Sequence, residues 1–428
     1  MKVLLDMVSQ QKKGLKAGVY SVCTSNALVI EAAMKHVILH NETLLLEATS
    51  NQVNQDGGYT GMTPIDFRNM VLSMAKRVGL QEDRIILGGD HLGPNCWQHL
   101  TAKEAMAKSE ILIAQYVRAG FGKIHLDCSM SCSDDPIPLR DEEVAKRAAR
   151  LCLVAEKAWK ETGGEAPVYV IGTEVPVPGG TQDDSEELDL TSVEDAKTTI
   201  AIHQDTFSEA GLSYVWPRII GLVVQPGVEF GLHKIDAFVP DKARSLSEMI
   251  SHHDNMVFEA HSTDYQTQQH LADLVSAHFG ILKVGPWLTF AFREACFALE
   301  CIEREWIGAN DCSNLKSTLL TAMHENDSYW KKYYSQDSRQ QELDCKYSLS
   351  DRIRYYWPDE KVNKALSQLI ENLEQSPPPL TLISQYLPEQ HKALVAGEID
   401  SSIKGFIFHK ISLVLNQYSA ACYSQSAN

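Results

Sequence analysis

The sequence predicts a (β/α)8 TIM barrel with a mostly helical C-terminal extension, and three observations predict it. Eight short, nearly all-apolar runs fill the first two-thirds of the chain. Each run stops at a polar or ionisable residue. Each is then followed by a turn-like stretch and a segment with helical spacing. Short apolar runs are what parallel strands look like when helices cover both faces of the sheet. A strand–helix unit repeated eight times closes into a barrel whose C-terminal strand ends share one face, and chemistry on that fold sits there. At 428 residues the chain exceeds the usual size of one domain, so residues 1–309 are assigned to the barrel and 310–428 to a helical extension packed on it.

In order, the strands read VYSVC, TLLLEA, RIILGG, KIHLD, VYVIGTE, RIIGLVVQ, MVFEAH and GILKVG. They finish around Val22–Cys23, Leu46–Glu47, Gly89–Asp90–His91, Leu126–Asp127, Thr173–Glu174, Val224–Gln225, Ala260–His261 and Leu282–Lys283. Between them, Thr63 is placed to cap a helix that opens at Pro64 and runs towards Arg77. Thr101 opens a second helix, and Gly120 stops it. Asp141 to about Trp159 and Ser192 to about Ala210 read as helices in the same way, and the eighth helix is expected to start near Thr289. Pro176 to Leu190, with PVPGG followed by TQDDSEELD, reads as an active-site loop and a charged surface segment. Gly57–Gly58–Tyr59–Thr60–Gly61 reads as a mobile substrate loop. The extension is rich in Tyr and Trp, which suits either a cap on the barrel or a subunit-contact surface.

Composition narrows the function. With 56 acidic against 39 basic residues the formal charge is -17. That field disfavours nucleic acid and anionic membrane as partners, and it requires local positive charge for any phosphorylated substrate. No apolar stretch approaches the roughly 20 residues that span a bilayer. The beginning, MKVLLDMVSQQKKG, does not read as a signal peptide. The ten cysteines are scattered, which suits buried thiols in the cytoplasm better than a disulfide framework. Cys128 and Cys132 form a C-x3-C with no second Cys/His pair at zinc-ribbon spacing.

The strand ends supply the chemistry. Asp90–His91 can act as a general acid/base beside an imidazole metal ligand, and taken alone the pair suits a helix cap beside a hydrogen-bonded ring still better. Glu174, Glu229 and His261 stand at or after three further strand ends. Two histidines with one or two carboxylates can hold zinc or another divalent ion and leave a position open for substrate, so His91, Glu174, Glu229 and His261 are the candidate ligands. A phosphate site is expected after strands seven and eight, where Ser262, Thr263, Lys283 and Gly285 lie, with Arg293 one helical stretch later. No Walker A sequence and no G-x-G-x-x-G is present, so no nucleotide cofactor is expected.

The runs LLLEATSNQVNQDGGYTGMTPIDFR, ILGGDHLGPNCW, KIHLDCSMSCSDDPIPL, VIGTEVPVPGG, VVQPGVEF, EAHSTDYQT, ILKVGP and YSLSDRIRYYWP closely resemble the Z-type subunit family of D-tagatose-1,6-bisphosphate aldolase, known as GatZ or KbaZ. The resemblance spans essentially the whole chain, and WPRIIGLVVQPGVEF is more similar to the form from N-acetylgalactosamine catabolism than to the galactitol form. It implies an accessory subunit required for full activity and stability of a separate Y-type class II aldolase, which is zinc-dependent. Members have also been labelled tagatose-6-phosphate kinases, a label this chain does not support because it has no ATP-phosphate loop. A more distant resemblance to the class II aldolases themselves implies Asp90 as general acid/base and His91 and His261 as zinc ligands, and it places Asp127 and Glu174 on strands four and five. The departure is at strand six, where Gln225 or Glu229 stands in place of a zinc histidine. Replacing imidazole with carboxylate alters the Lewis acidity that activates a ketose phosphate. The sequence therefore leaves an accessory subunit as the first expectation and an autonomous metal-dependent aldolase or 4-epimerase of keto-sugar phosphates as the alternative. A homo-oligomer is compatible with both.

Overall fold

The computed structural model describes residues 1–173, 188, 190–308 and 310–423. Eight parallel strands close into a barrel: β1 (Val19–Cys23), β2 (Leu44–Thr49), β3 (Ile85–Leu92), β4 (Lys123–Leu126), β5 (Val168–Ile171), β6 (Ile219–Val223), β7 (Val257–Ala260) and β8 (Phe279–Val284). Each strand pairs with its sequence neighbours, and β8 closes on β1 with Val19 opposite Ile281 and Val22 opposite Val284. The helices α1 (Lys2–Lys12), α2 (Ala27–His40), α3 (Pro64–Val78), α4 (Ala102–Arg118), α5 (Asp141–Thr162), α6 (Val193–Glu209), α7 (Pro240–Ser251), α8 (Gln268–Ser276) and α9 (Pro286–Trp306) accompany them. The expected Thr63 cap is present as a capping box with Asp66. Thr101 forms the same device with Glu104 at the start of α4. The helix after β8 begins at Pro286 rather than near Thr289, because a proline ring is already set for the first helical position and its missing N–H is no loss there.

Side chains two apart on a strand share a face, so the inward positions form layers. The bottom layer is apolar: Val19, Leu45, Ile86, Val168, Ile220, Val257 and Ile281. Leu4, Met7 and Val8 of α1 pack into it from below. One step up, the layer turns ionic, with Glu47, Lys123, Glu259 and Lys283 all buried. The step after that reaches the mouth, where His125 follows Lys123 and His261 follows Glu259 on the same faces. The core therefore changes from sealed hydrocarbon to charge to imidazole along one axis.

Beyond α9 the chain is helical, with α10 (Leu315–Glu325), α11 (Ser338–Tyr347), α12 (Glu360–Gln375), α13 (Leu380–Tyr386), α14 (Pro388–Val395) and α15 (Ile403–Cys422). The last helix packs on α2, α8 and α9, and its Tyr418 hydroxyl donates to the Thr263 carbonyl at 2.8 Å. Between α11 and α12 a short 3-10 turn, Arg352–Tyr356, reaches over the barrel mouth. None of the helices among the described residues is long and apolar enough to cross a membrane. All ten cysteines are free thiols.

Candidate functional site

A cavity of about 320 Å³ lies at the C-terminal end of the barrel. Its floor is Asp90, His91, His261 and Lys283. Its walls come from the loops after β1 and β2, including Ser25, Asn26, Asn51 and Tyr59. Its roof is Arg354, Tyr355 and Trp357 of the extension. The extension thus serves as part of the cavity.

Local backbone explains how adjacent residues Asp90 and His91 both reach the floor. The β3–β4 register shifts between Gly89 and Leu92, and His91 takes a left-handed φ of 49°. Such a bulge re-aims a side chain that simple alternation would send outward. Two glycines serve by being small rather than flexible. A Cβ on Gly88 would stand 2.7 Å from Glu47 Cγ, and one on Gly93 would stand 1.8 Å from the Asp127 carbonyl oxygen. Ser262, directly after His261, is also left-handed with φ 53°.

Three imidazoles form a triangle, with ring centroids 5.3 Å apart for His91–His125, 5.0 Å for His91–His261 and 5.3 Å for His125–His261. Each ring is held by a carboxylate: His91 Nδ1 to Asp127 at 2.8 Å, His125 Nδ1 to Asp90 at 2.9 Å, and His261 Nε2 to Glu259 at 3.0 Å. Burial opposes charge on His91, but Asp90 and Asp127 outweigh it and raise its pKa. Burial dominates at His261 and lowers it to about 4. Below the rings, Lys123 Nζ lies 2.6 Å from Glu47 and 2.7 Å from Glu259. Lys283 binds Glu47 closely and sits 3.1 Å from Asp90. Burial works against both ammonium groups, yet the carboxylates around them raise both pKa values.

These groups fit a divalent cation. Ligand atoms of Asp90, His125, Glu259 and His261 all lie within 4.8 Å of one another. His125 Nε2 is buried with no hydrogen-bond partner among the described residues. Glu47, Asp90, Asp127 and Glu259 are four buried carboxylates against the two ammonium groups of Lys123 and Lys283, and His91, its pKa raised beside Asp90 and Asp127, offsets only part of the difference. A buried uncompensated charge is costly, and a divalent ion would cancel it.

The sequence-predicted residues fall into three groups. Asp90, His91 and His261 lie together at the cavity floor, but the donor set takes His125 where His91 was the candidate ligand, and Asp127 meets the group through His91. Glu229 stands apart from that donor set on a short hairpin, Glu229–Phe230 with Ile235–Asp236. Its carboxylate accepts the Phe230 N–H at 3.0 Å and a bond from Ser262, and burial raises its pKa to about 7. Gln225 accepts the Gly227 and Val228 amides, so neither β6 candidate contributes to the set. Glu174 and most of the Pro176–Leu190 loop lie outside the described residues. Of the expected phosphate group, Thr263 donates to the Lys283 carbonyl at 2.6 Å. Arg293 is 2.9 Å from Asp351 and away from the cavity lining. The Gly285 and Trp287 amides both bind the Asp264 carboxylate at 2.9 Å. Sequence reasoning missed Lys123, His125 and Glu259. Their signal was a polar residue inside a run that should be apolar on both faces, two positions from another polar inward residue.

A family profile for D-tagatose-1,6-bisphosphate aldolase subunit GatZ/KbaZ-like proteins matches residues 4–423. The chain is similar to the crystal structure of a probable tagatose 6 phosphate kinase from Sinorhizobium meliloti, with 44% identity and a TM-score of 0.87 over 95% of this chain and 100% of that one. It shares its fold with the fructuronate-tagaturonate epimerase UxaE from Cohnella laeviribosi at 12% identity and a TM-score of 0.50, over 95% of this chain and 81% of that one.

Proposed function

Because the chain belongs to the D-tagatose-1,6-bisphosphate aldolase subunit GatZ/KbaZ-like family, we propose that it is the Z-type accessory subunit of that aldolase. In this reading it supports the activity and stability of a Y-type class II subunit, which splits tagatose 1,6-bisphosphate into glycerone phosphate and glyceraldehyde 3-phosphate. It acts in the cytoplasm, in tagatose 6-phosphate degradation downstream of N-acetylgalactosamine or galactitol. The single observation that carries the reading is the family match across nearly the whole chain. The geometry supports it in two respects: β6 offers no ligand to the donor set, and Lys283 already engages Asp90, one of the carboxylates an ion would need. Co-expression with a Y-type subunit tests it. The expected outcome is a stable complex and a Y-type partner that survives heating longer; separate elution with no change in the partner's lifetime would contradict it.

One observation favours a second reading, an autonomous metal-dependent aldolase or 4-epimerase of keto-sugar phosphates. It is the buried donor set of Asp90, His125, Glu259 and His261 with its unpartnered Nε2. A divalent ion bound there, zinc being one candidate, would act as a Lewis acid on a ketone oxygen. The protein's own part is proton handling and orientation. Asp90 lines the cavity, and with His125, Glu259 and His261 holding the ion its carboxylate would accept and return the proton of the substrate hydroxyl. Asp127 would act through His91, holding its ring by Nδ1. Metal content per chain tests this directly: His261→Ala is expected to lose the ion while keeping the fold, and an unaltered stoichiometry would contradict it.

A further inference from the structure

A keto-sugar bisphosphate brings two phosphoryl groups, and a buried anion needs cations or N–H donors around it. The donors expected after β7 and β8 are already committed. Lys283 is bound to Glu47 and Asp90, Arg293 to Asp351, and the amides at the start of α9 to the Asp264 carboxylate.

Arg354 differs from all of these. Its guanidinium lines the cavity and has no ion-pair partner among the described residues. It is also rigidly held. Nη1 donates to the Ser350 carbonyl and, at 3.1 Å, to the Asp351 carbonyl; Nη2 donates to the Tyr355 hydroxyl at 3.1 Å. The group lies 4.5 Å from the Tyr355 ring centroid. That ring is stacked on Tyr329 at 4.8 Å and meets Tyr59 edge-on at 4.8 Å. A guanidinium has five N–H groups, so this arrangement leaves two unassigned on a planar fork that suits phosphate oxygens. Thr24, Ser25, Asn51 and Thr60 supply hydroxyls and amides to the same cavity.

We propose that Arg354, carried over the barrel mouth by the C-terminal extension, is the phosphoryl-binding residue of the cavity. It takes a phosphate of the keto-sugar ligand while the ketone end faces the Asp90–His91–His261 floor. The inference rests on the keto-sugar phosphate reading above, but phosphate binding can be read without any cleavage.

The test titrates the full chain with inorganic phosphate, tagatose 1,6-bisphosphate and unphosphorylated tagatose, comparing wild type with Arg354→Gln and Arg354→Lys. Loss of charge-assisted hydrogen bonds should weaken both phosphorylated ligands about 10-fold or more in Arg354→Gln, with partial recovery in Arg354→Lys and no change for tagatose. Unchanged phosphate affinity in an Arg354→Gln chain that melts like wild type would overturn the proposal. Should that variant fail to fold, phenylglyoxal labelling of the wild type decides: phosphate is expected to slow modification of Arg354, and equal rates with and without phosphate overturn the assignment. Absence of cleavage alongside Arg354-dependent phosphate binding would remove the aldolase reading and leave this inference standing.

Discussion

Lys123 is fully buried between Glu47 and Glu259, and its worth is measured by what its loss would strand. Lys123→Met leaves two buried carboxylates with Lys283 as their remaining cation, and breaking a buried pair from one side costs about 3–5 kcal/mol. Urea unfolding should show that loss; a cost below about 1 kcal/mol would mean that Lys283 alone neutralises the layer. Glu229 gives a pH signature of opposite origin. Burial raises its carboxyl to about 7 despite the bonds from Ser262 and Phe230, so the folded chain holds a proton that the unfolded chain releases. Its stabilising contribution is fully present below the unfolded value of about 4.3 and is lost as pH rises towards 7. Glu229→Gln should therefore raise the melting temperature at pH 8, by up to about 3 kcal/mol of stability, and leave it nearly unchanged at pH 4. Equal effects at both pH values would contradict the assignment. Gly93→Ala should be among the most damaging small changes, since the added carbon meets backbone at Asp127 rather than a side chain that can move. Overpacking of that kind costs about 1–3 kcal/mol or more, readable in the same urea titrations.

At the level of elements, the strands were legible because a parallel strand covered on both faces has no choice but to be apolar. All eight predicted runs are barrel strands, and Asp90, His91 and His261 stand at their ends as the run endings indicated. What the runs concealed was their inward polar residues. KIHL and VFEA read as apolar with exceptions, and only the period of two shows that Lys123 with His125, and Glu259 with His261, share the inner face. The bulge at His91 left no sequence mark beyond its neighbouring glycines. Glu229 stands apart from the donor set because a residue after a strand can leave on a hairpin of its own, and here it does. The plug α1 is an element with a separate prediction. Met7→Ala should cost about 2–5 kcal/mol in stability while leaving phosphate affinity at the mouth intact, because its contacts lie in the bottom apolar layer. Altered phosphate binding in a folded Met7→Ala chain would mean the layers are coupled.

Over the whole molecule, the barrel and extension share one site. The apolar base, the ionic layer and the imidazole triangle belong to the barrel, but the roof with Arg354 and Tyr355 comes from residues more than 60 positions beyond the last strand. The Tyr- and Trp-rich composition of the extension fitted a cap or a subunit contact equally well. Its third use was illegible because nothing in a sequence says which loop of a helical region crosses a distant mouth. This arrangement makes the central question a chemical one: whether the furnished cavity works alone or within a complex. The most direct measurement is cleavage of tagatose 1,6-bisphosphate, with 4-epimer formation followed in parallel, by metal-supplemented chain with and without a Y-type subunit. The account predicts cleavage that appears, or rises sharply, only when the partner is added; robust turnover by the chain alone would contradict it and make the Asp90–His91–His261–Lys283 floor the working site.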